Sequence, residues 1–156
     1  MQINPEDIYI RSYLLKKTER YLQIMNKKYK FNELGFFLVR DEIKTKHETL
    51  KLVLIIRFFM NWIQVLVPLI PIDNLTDDQK IAIYEYVLSL NNQLADTEFE
   101  LDKQLGLIMI SNETHLDAFF FDVFEEEYTA VVASVDIYKK IKESLLAKKK
   151  KQVEAV

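Results

Sequence analysis

Residues 50–72 read LKLVLIIRFFMNWIQVLVPLIPI, and how this stretch is taken decides the fold. As one unit it is apolar enough to suggest a membrane span. Lys51 and Arg57 interrupt its first half, and the uncharged remainder, residues 58–72, is 15 residues long and holds Asn61, Gln64, Pro68 and Pro71. A spanning helix needs roughly 20 apolar residues, so the stretch is read as two buried strands and the chain as not membrane-spanning. Leu50, Leu52, Leu54, Ile56 and Phe58 lie to one side, with Lys51 and Arg57 on the other. That is the period of two of a strand. Asn61 marks a turn, residues 62–67 return as a second β-branched run, and Pro68 and Pro71 end it because proline donates no ladder hydrogen bond.

Upstream, Asn4-Pro5-Glu6-Asp7 reads as a helix start: a side-chain cap, proline at the first helical position, then acids near the positive end. Tyr9, Tyr13, Leu14, Tyr21, Leu22, Met25 and Tyr29 recur at three- and four-residue spacing, giving a helix to about Lys28. Residues 31–35 break it, residues 36–40 (FFLVR) form a first strand, and the charged residues 41–48 are read as a loop or wide hairpin connection. Downstream, Thr76-Asp77-Asp78-Gln79 is a capping box opening a second helix, with Ile81, Tyr84, Val87, Leu88, Asn91 and Leu94 as its inner face. Residues 97–101 and 107–111 are strands joined by a turn in which Gly106 takes a positive φ. A last helix runs from about residue 116 to 147. The order is α-βββ-α-ββ-α, an α+β fold with one twisted, mostly antiparallel sheet and helices packed on it. Residues 1–147 are read as a single domain, and the Lys-rich tail, 148–156, as disordered.

The 156 residues suffice for one domain with a real core. Without cysteine, disulfides and thiolate chemistry are excluded. Only His47 and His115 are present, against a histidine-built metal site, and only Gly35 and Gly106, against a glycine-rich phosphate loop. A net charge of −3 gives no global attraction to nucleic acid. No cofactor or metal is expected. The start, MQINPEDIYI, lacks a basic stretch followed by an apolar one, so no secretory signal is read and a cytoplasmic location is expected.

Three features stand out. Phe119, Phe120 and Phe121 on a helix would span about 200° of its surface, more than one sheet covers. The row Phe121, Phe124, Tyr128, Val131, Val135, Tyr138 and Leu145 is the core stripe. The surplus, Phe119 or Phe120, is buried under a loop or meets another chain; the second reading makes Phe119, Phe120 and Val123 an interaction surface. Asp96, Glu98, Glu100 and Asp102 alternate with Phe99 and Leu101, about 6.8 Å apart along one strand face. This is a solvated or edge-protecting face, or a docking face for a basic or amide-rich peptide. Lys148, Lys149, Lys150 and Lys151 suit a helix C-terminus, or contact an anion. Ser111, His115 and Asp117 lack the glycine-flanked nucleophile of a hydrolase triad, and no catalytic residue is assigned. Asn91, on an apolar helix face, is read as satisfying buried backbone.

Leu90-Asn91, Phe99-Glu100-Leu101-Asp102, Gly106 and Val135-Asp136-Ile137-Tyr138 together resemble the YbjN-like family, which is similar in fold to the type III secretion chaperones. Phe119-Phe120-Phe121 stand where that family has small residues, and the Lys-rich tail has no counterpart there. The resemblance implies a small, dimeric, non-enzymatic domain that binds a partner protein or peptide segment. The alternative is a small-ligand-binding or enzymatic domain with a site built from the acidic residues, which requires a pocket holding a carboxylate of perturbed pKa.

Overall fold

The two strands read in residues 50–72 lie at the centre of a six-stranded antiparallel sheet ordered β1-β2-β3-β4-β6-β5. In this computed structural model residues 5–44, 48–59 and 61–153 are described. Along the chain come α1 (Pro5–Ile24), β1 (Lys28–Phe31), β2 (Phe37–Lys44), β3 (Thr49–Phe59), β4 (Trp62–Pro71), α2 (Asp77–Asn91), β5 (Glu98–Asp102), β6 (Leu107–His115), a 3-10 turn (Leu116–Ala118) and α3 (Phe121–Val153). This is the α+β architecture expected, with the short β1 added at one edge. No described helix is long and apolar enough to cross a membrane.

The strand alternation holds in detail. Leu54 and Ile56 of β3, Ile63, Val65 and Val67 of β4 and Ile108 and Ile110 of β6 enter one buried cluster. Phe124, Tyr128, Val131, Val135 and Tyr138 of α3, all five from the three-four row expected to be core, belong to it. Phe121 is partly buried there, while the Leu145 side chain lies outside the described residues. Leu14 and Leu22 of α1 and Val87 and Leu90 of α2 complete the same side. All three helices therefore bury their apolar faces on one side of the sheet.

Several boundaries differ from the sequence reading, each for a local reason. Helix α1 stops at Ile24 because Asn26 takes a left-handed φ of 54°, and Lys27 N–H donates back to the Leu22 carbonyl at 2.9 Å. The chain then has room for β1, whose Lys28 and Phe31 pair with Arg40 and Phe37. Residues 41–44, read as loop from their charge, continue β2, with Asp41 opposite Leu52 and Lys44 opposite Thr49. Both prolines stay inside β4, where a register shift between Pro68 and Ile70 accommodates the missing donor. Thr76 and Gln79 form the capping box, but the inner face of α2 centres on Ile83, Val87 and Leu90. Ile81 and Leu88 point outward, 56% and 65% exposed.

At its far end the sheet meets α2. Asn91 donates from Nδ2 to the Phe99 carbonyl at 3.1 Å and accepts from the Phe99 N–H at 2.7 Å. The amide thus satisfies backbone as expected, although it is the outward backbone of edge strand β5 and not its own helix end. Gly106, with φ 61°, closes the β5–β6 turn against the Asp73 carboxylate, and its carbonyl accepts from Ile72 N–H at 2.8 Å. Helix α3 continues to Val153, so the backbone of residues 148–153 is helical. The side chains of Lys148, Lys149, Lys150 and Lys151 lie outside the described residues.

Candidate functional site

The phenylalanine triplet divides at the entrance to α3. A 3-10 turn over Leu116–Ala118, capped by the His115 side chain, precedes Phe119, whose ψ of 74° is not helical. The 100° spacing of a helix therefore does not apply to Phe119 and Phe120. Phe119 turns inward and is 1% exposed, its ring 5.2 Å from Tyr21 and 5.5 Å from Phe124. It belongs to the core, and its expected place on an interaction surface is corrected. Phe120 turns outward and is 60% exposed. Val123 is half-buried beside it in sequence, one turn into α3.

Phe120 does not stand alone. The Lys17 ammonium of α1 lies 5.5 Å from the Phe120 and Phe119 ring centres, 5.5 Å from Tyr13 and 5.9 Å from Tyr21, distances at which a cation is attracted to a ring face. A shallow cleft of about 430 Å³ on α1 is lined by Tyr13, Lys16, Lys17, Arg20, Tyr21 and Ile24. Tyr13 and Ile24 are more than half exposed. None of Lys16, Lys17 and Arg20 pairs with a carboxylate among the described residues. The result is an aromatic surface with three uncompensated cations. Residues a hundred positions apart build it, which is why the sequence reading names Phe119, Phe120 and Val123 for an interaction surface and none of the α1 residues.

The acidic row lies on the opposite, helix-free face of the sheet. Glu98, Glu100 and Asp102 of β5 share that face, while Asp96 precedes the strand in the chain. Glu100 is tied down: Gln64 Nε2 donates to its carboxylate at 3.1 Å, and Ser111 Oγ also donates to it. Gln64, 1% exposed, donates further to Glu113 at 3.0 Å and accepts from Arg57 Nε. Burial, with the neighbouring Glu98 and Glu113, pushes the Glu100 carboxyl up from its ordinary value. Asp102 organises the next turn by accepting from the Gln104 and Leu105 N–H groups. A second shallow cleft, about 540 Å³ and lined by Lys28, Tyr29, Lys30, Leu38, Arg40 and Val53, opens at the other end of the sheet. Neither cleft is lined by the acidic residues.

Ser111 and His115 are four residues apart on β6, roughly 13 Å at strand rise. Ser111 is fully buried and donates to Glu100, and His115 faces Asp117 at 3.4 Å. They form no relay. Among the described residues no group of three His, Asp or Glu side chains is placed to hold a metal ion.

One carboxyl is strongly perturbed inside the fold. Burial and then the adjacent Glu126 push Glu127 of α3 up to about 7, and Thr114 Oγ1 donates to it. A raised folded pKa means stability that is full below the unfolded value near 4.3 and is lost as pH rises through about 7. Because Glu127 is half exposed, solvent screening reduces the effect to about 1 kcal/mol. Glu127→Gln is expected to raise stability by that amount at pH 8 and to change it little at pH 4, compared by urea titration of both proteins.

No protein-family model and no curated protein matches the chain, so the YbjN-like resemblance rests on the residues quoted for it. Among solved structures, a chain of the HopA1–SchA chaperone–effector complex superposes with a TM-score of 0.54 at 12% identity, covering 83% of this chain and 96% of that one. A chain of the ExsC–ExsE complex gives a TM-score of 0.45 at 11% identity, over 65% of this chain and 74% of that one. The first likeness places this chain in the fold seen in a chaperone–effector complex.

Proposed function

We propose that this chain is a non-enzymatic protein-interaction module, which holds a segment of a partner protein on the α1 cleft and the neighbouring Phe120. The observation that carries the reading is the conjunction at that place: a phenyl ring 60% exposed, two partly free apolar side chains on α1, and Lys16, Lys17 and Arg20 without carboxylate partners. An isolated exposed ring is ordinary, but aromatic surface rimmed by charge is characteristic of interfaces. The matching segment carries aromatic or aliphatic anchors flanked by Asp or Glu. The shared fold with a chain of a chaperone–effector complex supports the reading. The alternative, a ligand or catalytic site made of acidic residues, is less well supported, because Glu98, Glu100 and Asp102 line neither of the two clefts described and Glu100 is held by Gln64 and Ser111.

Panning a random peptide library on the immobilised protein tests this. Selected peptides are expected to combine acidic and aromatic residues and to bind more weakly as salt is raised. Phe120→Asp is expected to weaken them at least tenfold while the helical circular dichroism stays unchanged. Equal binding by Phe120→Asp and the parent would remove the reading for this cleft.

A further inference from the structure

The rim of the sheet formed by β1 and β2 concentrates positive charge on the face away from the helices. Register sets Lys28 directly opposite Arg40 and Lys30 opposite Leu38, with Val53 of β3 beyond Arg40 in the same row. Phe37 and Val39 are buried on the helix side, so Leu38 and Arg40 share the other face with Lys28, Lys30 and Val53. Together with Tyr29 these residues line the cleft of about 540 Å³. The two lysines are about 6.8 Å apart at strand rise, and directly opposed side chains start about 5 Å apart. Three cations therefore stand within reach of one ligand. Like charges placed opposite one another weaken a strand pair, and no ion pair offsets these: none of the three meets a carboxylate among the described residues. Asp41 turns to the helix side, where Lys27 and Tyr128 hold it. Glu42 stands opposite Lys51 and pairs with Lys44 at 3.9 Å, and Glu19 accepts from Tyr29 Oη.

We propose that this cleft binds a small phosphorylated molecule through its phosphate groups. Three clustered cations call for more than one negative charge at one place, and a single carboxylate supplies only one. A phosphate group carries about −1.5 to −2 on a compact set of oxygens. Arg40 offers it a planar fork of N–H donors, and Lys28 and Lys30 offer movable point charges. Leu38 and Val53, the latter 49% exposed, give the body of the ligand an apolar floor. The volume falls in the range of small-molecule sites, about 300 to 1,000 Å³. A nucleic-acid strand fits less well, because its bases stack on exposed rings. The aromatic residue lining this cleft, Tyr29, is half-buried and tied by hydrogen bonds to Glu19 and Gln23. The α1 cleft lies on the other side of the sheet, so the phosphate site and the peptide site stand or fall separately.

Inorganic tripolyphosphate, added to the full chain in about 0.1 M NaCl to screen loose attraction, is the probe. Amide NMR shifts are expected to concentrate at residues 28–30, 38–40 and 53. The urea midpoint should rise with the probe, as it must for a ligand of the folded state. Lys28→Gln combined with Lys30→Gln, and separately Arg40→Gln, should each weaken binding by about tenfold or more, the effect of losing hydrogen bonds to a charged group. Lys103→Gln, which removes one exposed cation on the β5–β6 turn, should weaken it less than about twofold. Lys28, Lys30 and Arg40 are exposed, and circular dichroism checks that each variant is folded. No response to the probe overturns the proposal, as do shifts spread equally over α1, or affinity unchanged in both site variants. So does a glutamate oligopeptide that displaces the probe at equal concentration, which would make the site one for carboxylates. Flotation with phosphatidylcholine vesicles containing phosphatidic acid, without any response to tripolyphosphate, would assign the cations to a lipid surface and overturn it too.

Discussion

Phe119→Ala is expected to destabilise the fold by about 3 to 5 kcal/mol, whereas Phe120→Ala, one residue on, should change it by less than about 0.5 kcal/mol. The Phe119 ring is 1% exposed and sits in edge and tilted contact with Phe124 and Tyr21, beside a backbone carbonyl that accepts from Tyr21 Oη. Truncation removes the burial of a large ring and leaves a cavity between α1 and α3 that the capped 3-10 turn cannot collapse. Urea unfolding of the three proteins measures both effects. Equal losses for the two alanines would mean that both rings share the interior and that Phe120 is no docking residue.

The second large effect is expected at Asp41. Its carboxylate accepts from Lys27 Nζ at 2.6 Å and from Tyr128 Oη at 2.8 Å, joining β2 to the α1–β1 connection and to α3. Burial alone would raise its pKa, but the hydrogen bonds from Lys27 and Tyr128 outweigh burial and hold it below the ordinary value. The same contact, with burial as the larger cause, raises the Tyr128 hydroxyl above the usual phenol range. Asp41→Ala leaves a buried hydroxyl and a partly buried ammonium without their acceptor, and about 2 kcal/mol of stability is expected to go with it. A depressed folded pKa means that the contribution is present above the unfolded value near 3.9 and fades as pH falls through the lower folded value. The gap between parent and variant should therefore narrow in strong acid. A gap that is constant from pH 7 to pH 2 would assign the loss to packing alone.

What was legible in the sequence was what repeats locally. The alternation of Leu52, Leu54 and Ile56, the Thr76–Gln79 box, the turn at Gly106 and the row from Phe124 to Tyr138 each declare themselves within a few residues, and each stands in the fold as read. Where a long-range contact decides, the local signal misled. The charges of residues 41–44 suggested a loop, but their pairing with β3 makes them strand. Lys28–Phe31 is too short and too polar to announce an edge strand, and it exists because β2 offers a partner. Helical spacing alone puts Phe119 on a helix surface, because the 3-10 turn that redirects it has no periodic signature. The α1 cleft needed Lys17 and Phe120 brought together across about a hundred residues, which no spacing rule conveys.

The amide of Asn91 has a consequence for how this sheet could spread from molecule to molecule. Open sheets invite further strands at their rims, and polymerisation by that route requires two reactive ends on every unit. At the β5 end the N–H and carbonyl of Phe99, the second residue of a five-residue strand, are already engaged by Asn91. The other rim is the four-residue β1, which bears Lys28 and Lys30, and beyond it residues 41–44 of β2, which pair with β3 alone. In the language of polymer chemistry the Asn91 amide is an end-cap: a strand adding at the β5 rim has to displace it from Phe99 before the ladder can extend there.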